Sequence, residues 1–264
     1  MRILVLHYDH MGNPWVGGGG ASQLHRILCR MSGQHLVDVV SGAWPGSPHW
    51  KEVDGVRYRL VGPAPKYGVS RASYCLRAVL AASRGGYDLL IEGLSAFSPT
   101  FAPRFCRIPA LADIRLDPFA AAQKHPFLAP FATARLRQDM NRYRVLVANS
   151  PSLRSALKTK CPGAGPVRVV YPAIENKWFE ASPIEENFIL FLGRIDVDHK
   201  GLDYLVQCYD RIRRQFPDIR LVVAGAGPDE ARFRRLLARK GLQEAVEMRG
   251  WVEGQEKIDL LRKC

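Results

Sequence analysis

From its second residue to its last turn the chain alternates short aliphatic, β-branched runs with longer stretches of helical periodicity, and this alternation limits its fold more than any other feature. The runs Arg2–His7, Leu36–Ser41, Val56–Val61, Asp88–Glu92, Ala110–Arg115, Val145–Asn149 and Val167–Tyr171 read as strands. Between them Ala21–Met31, Val69–Ser83, Phe127–Arg144 and Ser152–Lys160 read as amphipathic helices. Such a pattern builds α/β units around a mostly parallel sheet. After Tyr171-Pro172-Ala173, the segment Ile174–Asn187 is polar, contains Pro183 and reads as a connection. A domain border is therefore placed there, with one domain over residues 1–175 and a second over 176–264. In the second the alternation restarts: strand Phe188–Gly193, helix Gly201–Gln215, strand Ile219–Gly225, helix Asp229–Arg239, strand Ala245–Gly250, helix Gly254–Lys263. Three strands with two crossovers make one mononucleotide-binding half of a doubly wound domain, whose whole form has about six strands. The second domain is expected to be incomplete.

Composition narrows the class. With 264 residues, 47% hydrophobic and 24% charged, the chain is long enough for one large or two modest cores. The longest uninterrupted apolar stretch, Phe188 to Leu192, falls far short of the roughly 18 to 20 residues that cross a bilayer. The apolar start Ile3–Leu6 is too short for the core of a secretory signal. Six cysteines are spread evenly with no C-x2-C pair and no histidine cluster beside them, which suggests neither a zinc site nor a disulfide scaffold. A reducing cytoplasm fits these features. The net charge of +13 is unevenly placed: residues 1–175 hold 22 Lys and Arg against 10 Asp and Glu, whereas residues 176–264 hold 16 against 15. A basic first half points to an anionic partner such as phospholipid, nucleic acid or a phosphorylated substrate. The arginines are dispersed, however, and no helix-turn-helix, zinc-finger or RNP pattern accompanies them, which argues against nucleic acid.

Three places can carry chemistry. The first strand is followed by Met11-Gly12-Asn13-Pro14-Trp15-Val16-Gly17-Gly18-Gly19-Gly20-Ala21-Ser22 and then a helix. Glycines there let an anion approach backbone N–H groups, and the helix presents the positive end of its dipole. The loop is not G-x-G-x-x-G, and no acidic residue closes the second strand at Val39-Val40-Ser41, which disfavours a dinucleotide. In the second domain, Gly193-Arg194-Ile195-Asp196-Val197-Asp198-His199-Lys200-Gly201 leaves the C-terminal end of a strand, where open α/β sheets bind ligands. Arginine offers a planar fork and lysine a point charge, a pair suited to a diphosphate that is held and then stabilised as a leaving group. The next strand ends in Ala224-Gly225-Ala226-Gly227-Pro228-Asp229-Glu230, a good helix start, and the last in Arg249-Gly250-Trp251-Val252. Trp251 or the backbone of Val252 could flank a base there; alternatively Trp251 is core.

The order of these pieces, with Asn149-Ser150 opening a helix and Val169-Val170-Tyr171-Pro172 closing the first domain, resembles the retaining glycosyltransferases called group 1 or family 4. These are GT-B enzymes of two Rossmann-like domains that use nucleotide-diphosphate sugars. The resemblance implies an N-terminal acceptor-side domain and a C-terminal donor domain. It matches Arg194 and Lys200 to the pair that contacts the donor diphosphate, and brings Gly17, Gly18, Gly19 and Gly20 to the same phosphates. It adds Gly225, Gly227, Trp251 and Val252 to the donor site and implies no metal and no cofactor beyond the sugar nucleotide. Where many relatives have a histidine near the transferred sugar, this chain has Arg115, flanked by Asp113 and Asp117. The family's Glu-x7-Glu segment would fall beyond Cys264, which implies a chain cut within its second domain. The expected activity is transfer of a hexose-type sugar, with retention, to a hydroxyl on a glycan or lipid-linked acceptor. The expected place is the cytoplasm, at the inner face of an anionic membrane. The rival expectation is a catalytically silent binding module or fragment derived from such an enzyme.

Overall fold

Ile3, Leu4, Val5 and Leu6 are all fully buried, as a parallel strand is when helices cover both faces of its sheet. In the computed structural model, which describes residues 1–16, 18–95, 100, 102–123, 127, 129–174, 176–179, 182–184 and 186–264, this stretch is β1 (Arg2–Leu6). The chain continues through α1 (Gly19–Ser32), β2 (Leu36–Gly42), β3 (Trp50–Val53), β4 (Val56–Val61), α2 (Tyr67–Ser83), β5 (Leu89–Gly93), α3 (Ala102–Phe105) and β6 (Ala110–Ile114). Then come α4 (Pro118–Gln123), α5 (Ala129–Met140), β7 (Val145–Ala148), α6 (Pro151–Lys160) and β8 (Val167–Val169). A second group holds β9 (Phe188–Leu192), α7 (Val197–Lys200), α8 (Leu202–Gln215), β10 (Arg220–Ala224), α9 (Glu230–Arg239), β11 (Val246–Gly250) and α10 (Gly254–Lys263). The chain divides into two compact units, Met1–Ala173 and Ile174–Cys264.

In the first unit the strands lie in the order β3-β4-β2-β1-β5-β6-β7-β8. All neighbours are parallel except β3 and β4. Alternate residues of β1 serve opposite faces. Ile3 and Val5 pack with Leu24 and Leu28 of α1, while Leu4 and Leu6 join Tyr74 and Ala78 of α2. Each such fully buried aliphatic side chain contributes about 1.5–3 kcal/mol. The strand order reverses at β1 and β5, which places the crevice of a doubly wound sheet beyond their C-terminal ends, at His7 and Gly93.

The second unit has, among the described residues, three parallel strands in the order β11-β10-β9. Leu221 and Val223 of β10 face Val206, Tyr209, Phe233 and Leu237 of α8 and α9; Val222 and Ala224 face Val252 and Leu260. This is an α/β fold of two Rossmann-like units, the second holding three strands of the six in a whole doubly wound domain.

Several elements depart from the sequence expectations. β3 was not expected; it joins β4 through Asp54-Gly55, both at positive φ (50° and 75°), the conformation of a two-residue hairpin turn. The one-turn α3 and the short α4 are too brief to show a period. The helix expected over Phe127–Arg144 is shorter, Ala129–Met140, and residue 128 lies outside the described residues. Arg142 and Arg144 therefore follow the helix, and Arg135 is buried beside Asp139 (3.7 Å).

Candidate functional site

The first unit gathers its candidate residues at the C-terminal ends of β1 and β6. After β1 the chain turns through His10–Val16: Gly12 N–H donates to His10 Nδ1 (2.9 Å) and Trp15 N–H to Asn13 Oδ1 (2.9 Å). Gly17 lies outside the described residues. Gly18 is the extended N-cap of α1, with no side-chain cap, and the first turn of α1 has no acidic residue. Among the described residues no side chain caps the first N–H groups of this 14-residue helix, the arrangement that receives an anion. Gly19 and Gly20 belong to this first turn, not to the loop expected from the sequence.

Arg115, just past β6, points to that turn. Its Nε donates to Asp113 Oδ2 (2.8 Å), and its Nη1 donates to the Gly20 carbonyl (2.9 Å) and to Gln23 Oε1 (3.2 Å). Asn149, after β7, fixes the backbone by donating from Nδ2 to the Arg115 carbonyl (2.8 Å). Asp117 faces elsewhere, accepting from Lys160 and from the first N–H groups of α4. His7 sits beside Gly93, and among the described residues neither of its buried ring nitrogens has a partner. Burial first, and then the Arg115 guanidinium, lowers its pKa to about 4 and keeps the imidazole neutral. Sequence reading missed His7 and Gln23. His7 ends the first strand at the switch-point edge, a signal present in the sequence; Gln23 is found only through its contact with Arg115.

The second unit gathers three loops at the C-terminal ends of β9, β10 and β11. Gly193 N–H donates to the Ala224 carbonyl, Ile195 N–H to Ala226, and Gly225 N–H to Gly250. Asp229 Oδ2 accepts from Val197 N–H (2.9 Å) and Asp196 Oδ1 from His199 N–H (3.1 Å), so α7 is held at its start by two carboxylates. The His199 backbone N–H is the leading contact that holds the Asp196 carboxyl below the usual range. On this frame Arg194 is 58% exposed and donates to Asp196 Oδ2 (2.9 Å). Lys200 is exposed at the end of α7; it precedes α8 by one residue, Gly201, whereas the sequence placed it at the start of the longer helix. Both cations lie on the nine-residue stretch from Gly193 to Gly201.

Gly225 and Gly227 have a packing reason of their own. A Cβ on either would overlap a carbonyl oxygen, of Gly193 and of Ile195 respectively. Trp251 is 64% exposed, its Nε1 donating to Glu253 Oε1 (2.7 Å), so the alternative of a core tryptophan is wrong. Val252 is buried against Phe188 and Leu260.

Two Rossmann-like units with a ligand edge at their strand ends define the GT-B class, and solved structures of that class share the fold. Residues 173–264 match the family described as Glycosyl transferases group 1, and the chain resembles that family over this stretch. A 96-residue segment is 30% identical to one of the subunits of the Arabidopsis thaliana phosphatidylinositol N-acetylglucosaminyltransferase, covering 34% of this chain and 21% of that protein. The match thus spans about a fifth of that curated relative. The sucrose-phosphate synthase of Thermosynechococcus elongatus superposes with a TM-score of 0.75 at 16% identity, over 96% of this chain and 71% of that one. Anabaena HepE in complex with UDP gives 0.67 at 16%, over 100% and 72%.

Proposed function

We propose that this chain is a glycosyltransferase of the group 1 type, moving a hexose-type sugar from a nucleotide-diphosphate donor to a hydroxyl acceptor with retention. The observation that carries this reading is the family match over residues 173–264, which includes the Gly193–Gly201 stretch with its exposed Arg194 and Lys200. HepE, of the same fold, was solved with UDP, which favours a nucleotide donor here. In this reading Arg194 and Lys200 take the charge that grows on the leaving diphosphate. Within the first unit the uncapped start of α1 is assigned to phosphate oxygens and Arg115 to the sugar; within the second, Trp251 with the backbone of Val252 is assigned to the base. These cations and N–H groups do the work for which other transferases use a metal. The acceptor is a lipid-linked or cell-envelope glycan, met at the cytoplasmic face of an anionic membrane. Among the described residues no helix is long and apolar enough to cross a bilayer.

The test is titration of UDP and other nucleoside diphosphates. Each charge-assisted contact is worth about 1.5–3 kcal/mol, so Arg194→Ala and Lys200→Ala should each weaken binding about ten- to a hundredfold. Unchanged affinity in both variants refutes the assignment. A second reading is a module that binds nucleotide without turnover. Acceptor-dependent release of nucleoside diphosphate separates the two.

A further inference from the structure

Away from the glycine-rich loop, the C-terminal half of α1 and the β3–β4 turn bring together three groups that take no part in the site above. His25 and Cys29 stand one helical turn apart on the same face of α1, and Asp54 occupies the hairpin turn. His25 Nε2 is 3.1 Å from Asp54 Oδ2 and 3.3 Å from Cys29 Sγ. One ligand atom from each of the three lies within 4.8 Å of the others. On the other side of the ring, Nδ1 meets Tyr58 Oη at 2.7 Å.

A thiol, an imidazole and a carboxylate can form a proton relay or hold a cation. A relay sets the thiol on one ring nitrogen and the carboxylate on the other. Here thiol and carboxylate converge on the same nitrogen, Nε2, while Nδ1 is engaged by Tyr58. One nitrogen offers a single hydrogen or a single lone pair, so it cannot pass a proton between them. A shared cation uses this convergence. With Zn–N of about 2.0–2.1 Å, Zn–S of about 2.3 Å and Zn–O of about 2.0–2.2 Å, a tetrahedral site has ligand-to-ligand edges of about 3.3–3.6 Å. The observed 3.1 and 3.3 Å lie close to those edges. Tyr58 completes the arrangement: in the tautomer that donates Nδ1–H to its Oη, the Nε2 lone pair is free, and this is the supporting contact that metal-binding histidines make.

The backbone also favours the site. Asp54 sits at φ +50°, a conformation that aspartate and asparagine tolerate better than most residues, and Ser32 Oγ bonds the carbonyls of Cys29 (2.8 Å) and Asp54 (3.4 Å). His25 is 7% exposed at its side chain and Asp54 72%, so one side of the cluster is open to water.

We propose that His25, Cys29 and Asp54 bind a zinc ion whose fourth ligand is water, fastening the β3–β4 hairpin to α1. Cys29 binds as the thiolate and its proton goes to solvent. One adjustment is needed. Sγ is also 3.7 Å from Nδ1, so the thiol lies against the ring and must rotate toward Asp54 to share an ion in the ring plane. The expectation of no zinc site rested on the absence of a C-x2-C pair and of a histidine cluster beside the cysteines. It overlooked the pair His25-x3-Cys29, whose third partner comes from a distant turn. This site is independent of the donor chemistry proposed above.

The metal-free full chain is titrated with Zn2+ by calorimetry and with Co2+ by absorbance. One equivalent of Zn2+ should bind, Co2+ should give a thiolate charge-transfer band with tetrahedral d–d bands, and Zn2+ should raise the melting temperature. Cys29→Ser should abolish the charge-transfer band and the melting shift. Asp54→Asn, which keeps the turn, should weaken Zn2+ at least about tenfold, and Tyr58→Phe about ten- to a hundredfold. Asp54 is exposed, so its variant tests the site even if changes at the buried His25 unfold the chain. Absence of Zn2+ binding, or a band and affinity that survive in either Cys29→Ser or Asp54→Asn, overturns the proposal.

Discussion

Gly225 has φ +149°, and its Cα hydrogen faces the carbonyl oxygen of Gly193 where any side chain would collide. The loops that present Arg194 therefore meet backbone to backbone. Gly225→Ala combines this collision with a backbone region closed to L side chains, and should cost at least about 2 kcal/mol of stability in urea melts. Gly19 is the opposite case. It lies in the first turn of α1 with nothing within 4 Å of where a methyl group would stand, so packing gives no reason for glycine there. Gly19→Ala should stabilise α1 by about 0.5–1 kcal/mol, since alanine is the better helix former. The same methyl crowds the N–H groups of the helix start and should weaken nucleoside-diphosphate binding. A variant that melts higher and binds UDP as well as before would remove α1 from the donor site. In sequence the two glycine clusters look alike; only the contacts around them tell a glycine that packing requires from one with open space beside it.

At the scale of elements, charge misleads where apolar pattern does not. The strands of both units were legible as aliphatic runs, because a parallel strand covered on both faces has little choice of residue. β3 was not, since Trp50, Lys51 and Glu52 belong to an exposed edge strand; the Asp54-Gly55 turn was its one signal. In a helix with several arginines, Arg135 nonetheless turns inward to Asp139, which also accepts from Arg104 Nε (2.7 Å). Removing that carboxylate takes an acidic partner from the buried Arg135 and from Arg104 at once. Asp139→Ala should cost about 3–5 kcal/mol, readable as a shift of the urea midpoint, and a change under about 1 kcal/mol would deny the pair its role. On the outer face of α2, Val69, Leu76 and Leu80 are exposed with Arg77, and the exposed Arg84 follows as the C-cap. That face suits an anionic headgroup layer. Leu76→Asn with Leu80→Asn should reduce sedimentation with acidic vesicles, and equal binding of both forms to acidic and neutral vesicles would count against a membrane role.

For the molecule as a whole, the basic surplus of residues 1–175 was readable by counting, but the site was legible only in part. Arg194 and Lys200 lie close in sequence and were visible; Arg115 with Gln23, and His25 with Asp54, meet only because the sheet brings their elements together. The same burial gives the chain a distinctive response to acid. Burial, with Arg115, lowers the pKa of His7 to about 4; burial, followed by Lys51 and His25, does the same for His10. Unfolding returns both toward the ordinary value of about 6.5. Between those values the unfolded chain binds protons that the folded chain refuses, so stability must rise with pH across this window and fall on acidification. Each histidine should remove about 2 kcal/mol between pH 7 and pH 5. Glu92 and Asp9 act with the opposite sign, because burial raises their pKa values and the folded state takes up their protons first. Their offset grows as the pH nears the carboxylate range, so the histidine effect is clearest above pH 5. Urea midpoints at pH 7, 6 and 5 measure the slope, and His7→Gln should flatten it by about half, since the two histidines share it. A midpoint that stays constant from pH 7 to pH 5 would mean that neither imidazole is held neutral, and that the crevice beside Arg115 is open to water.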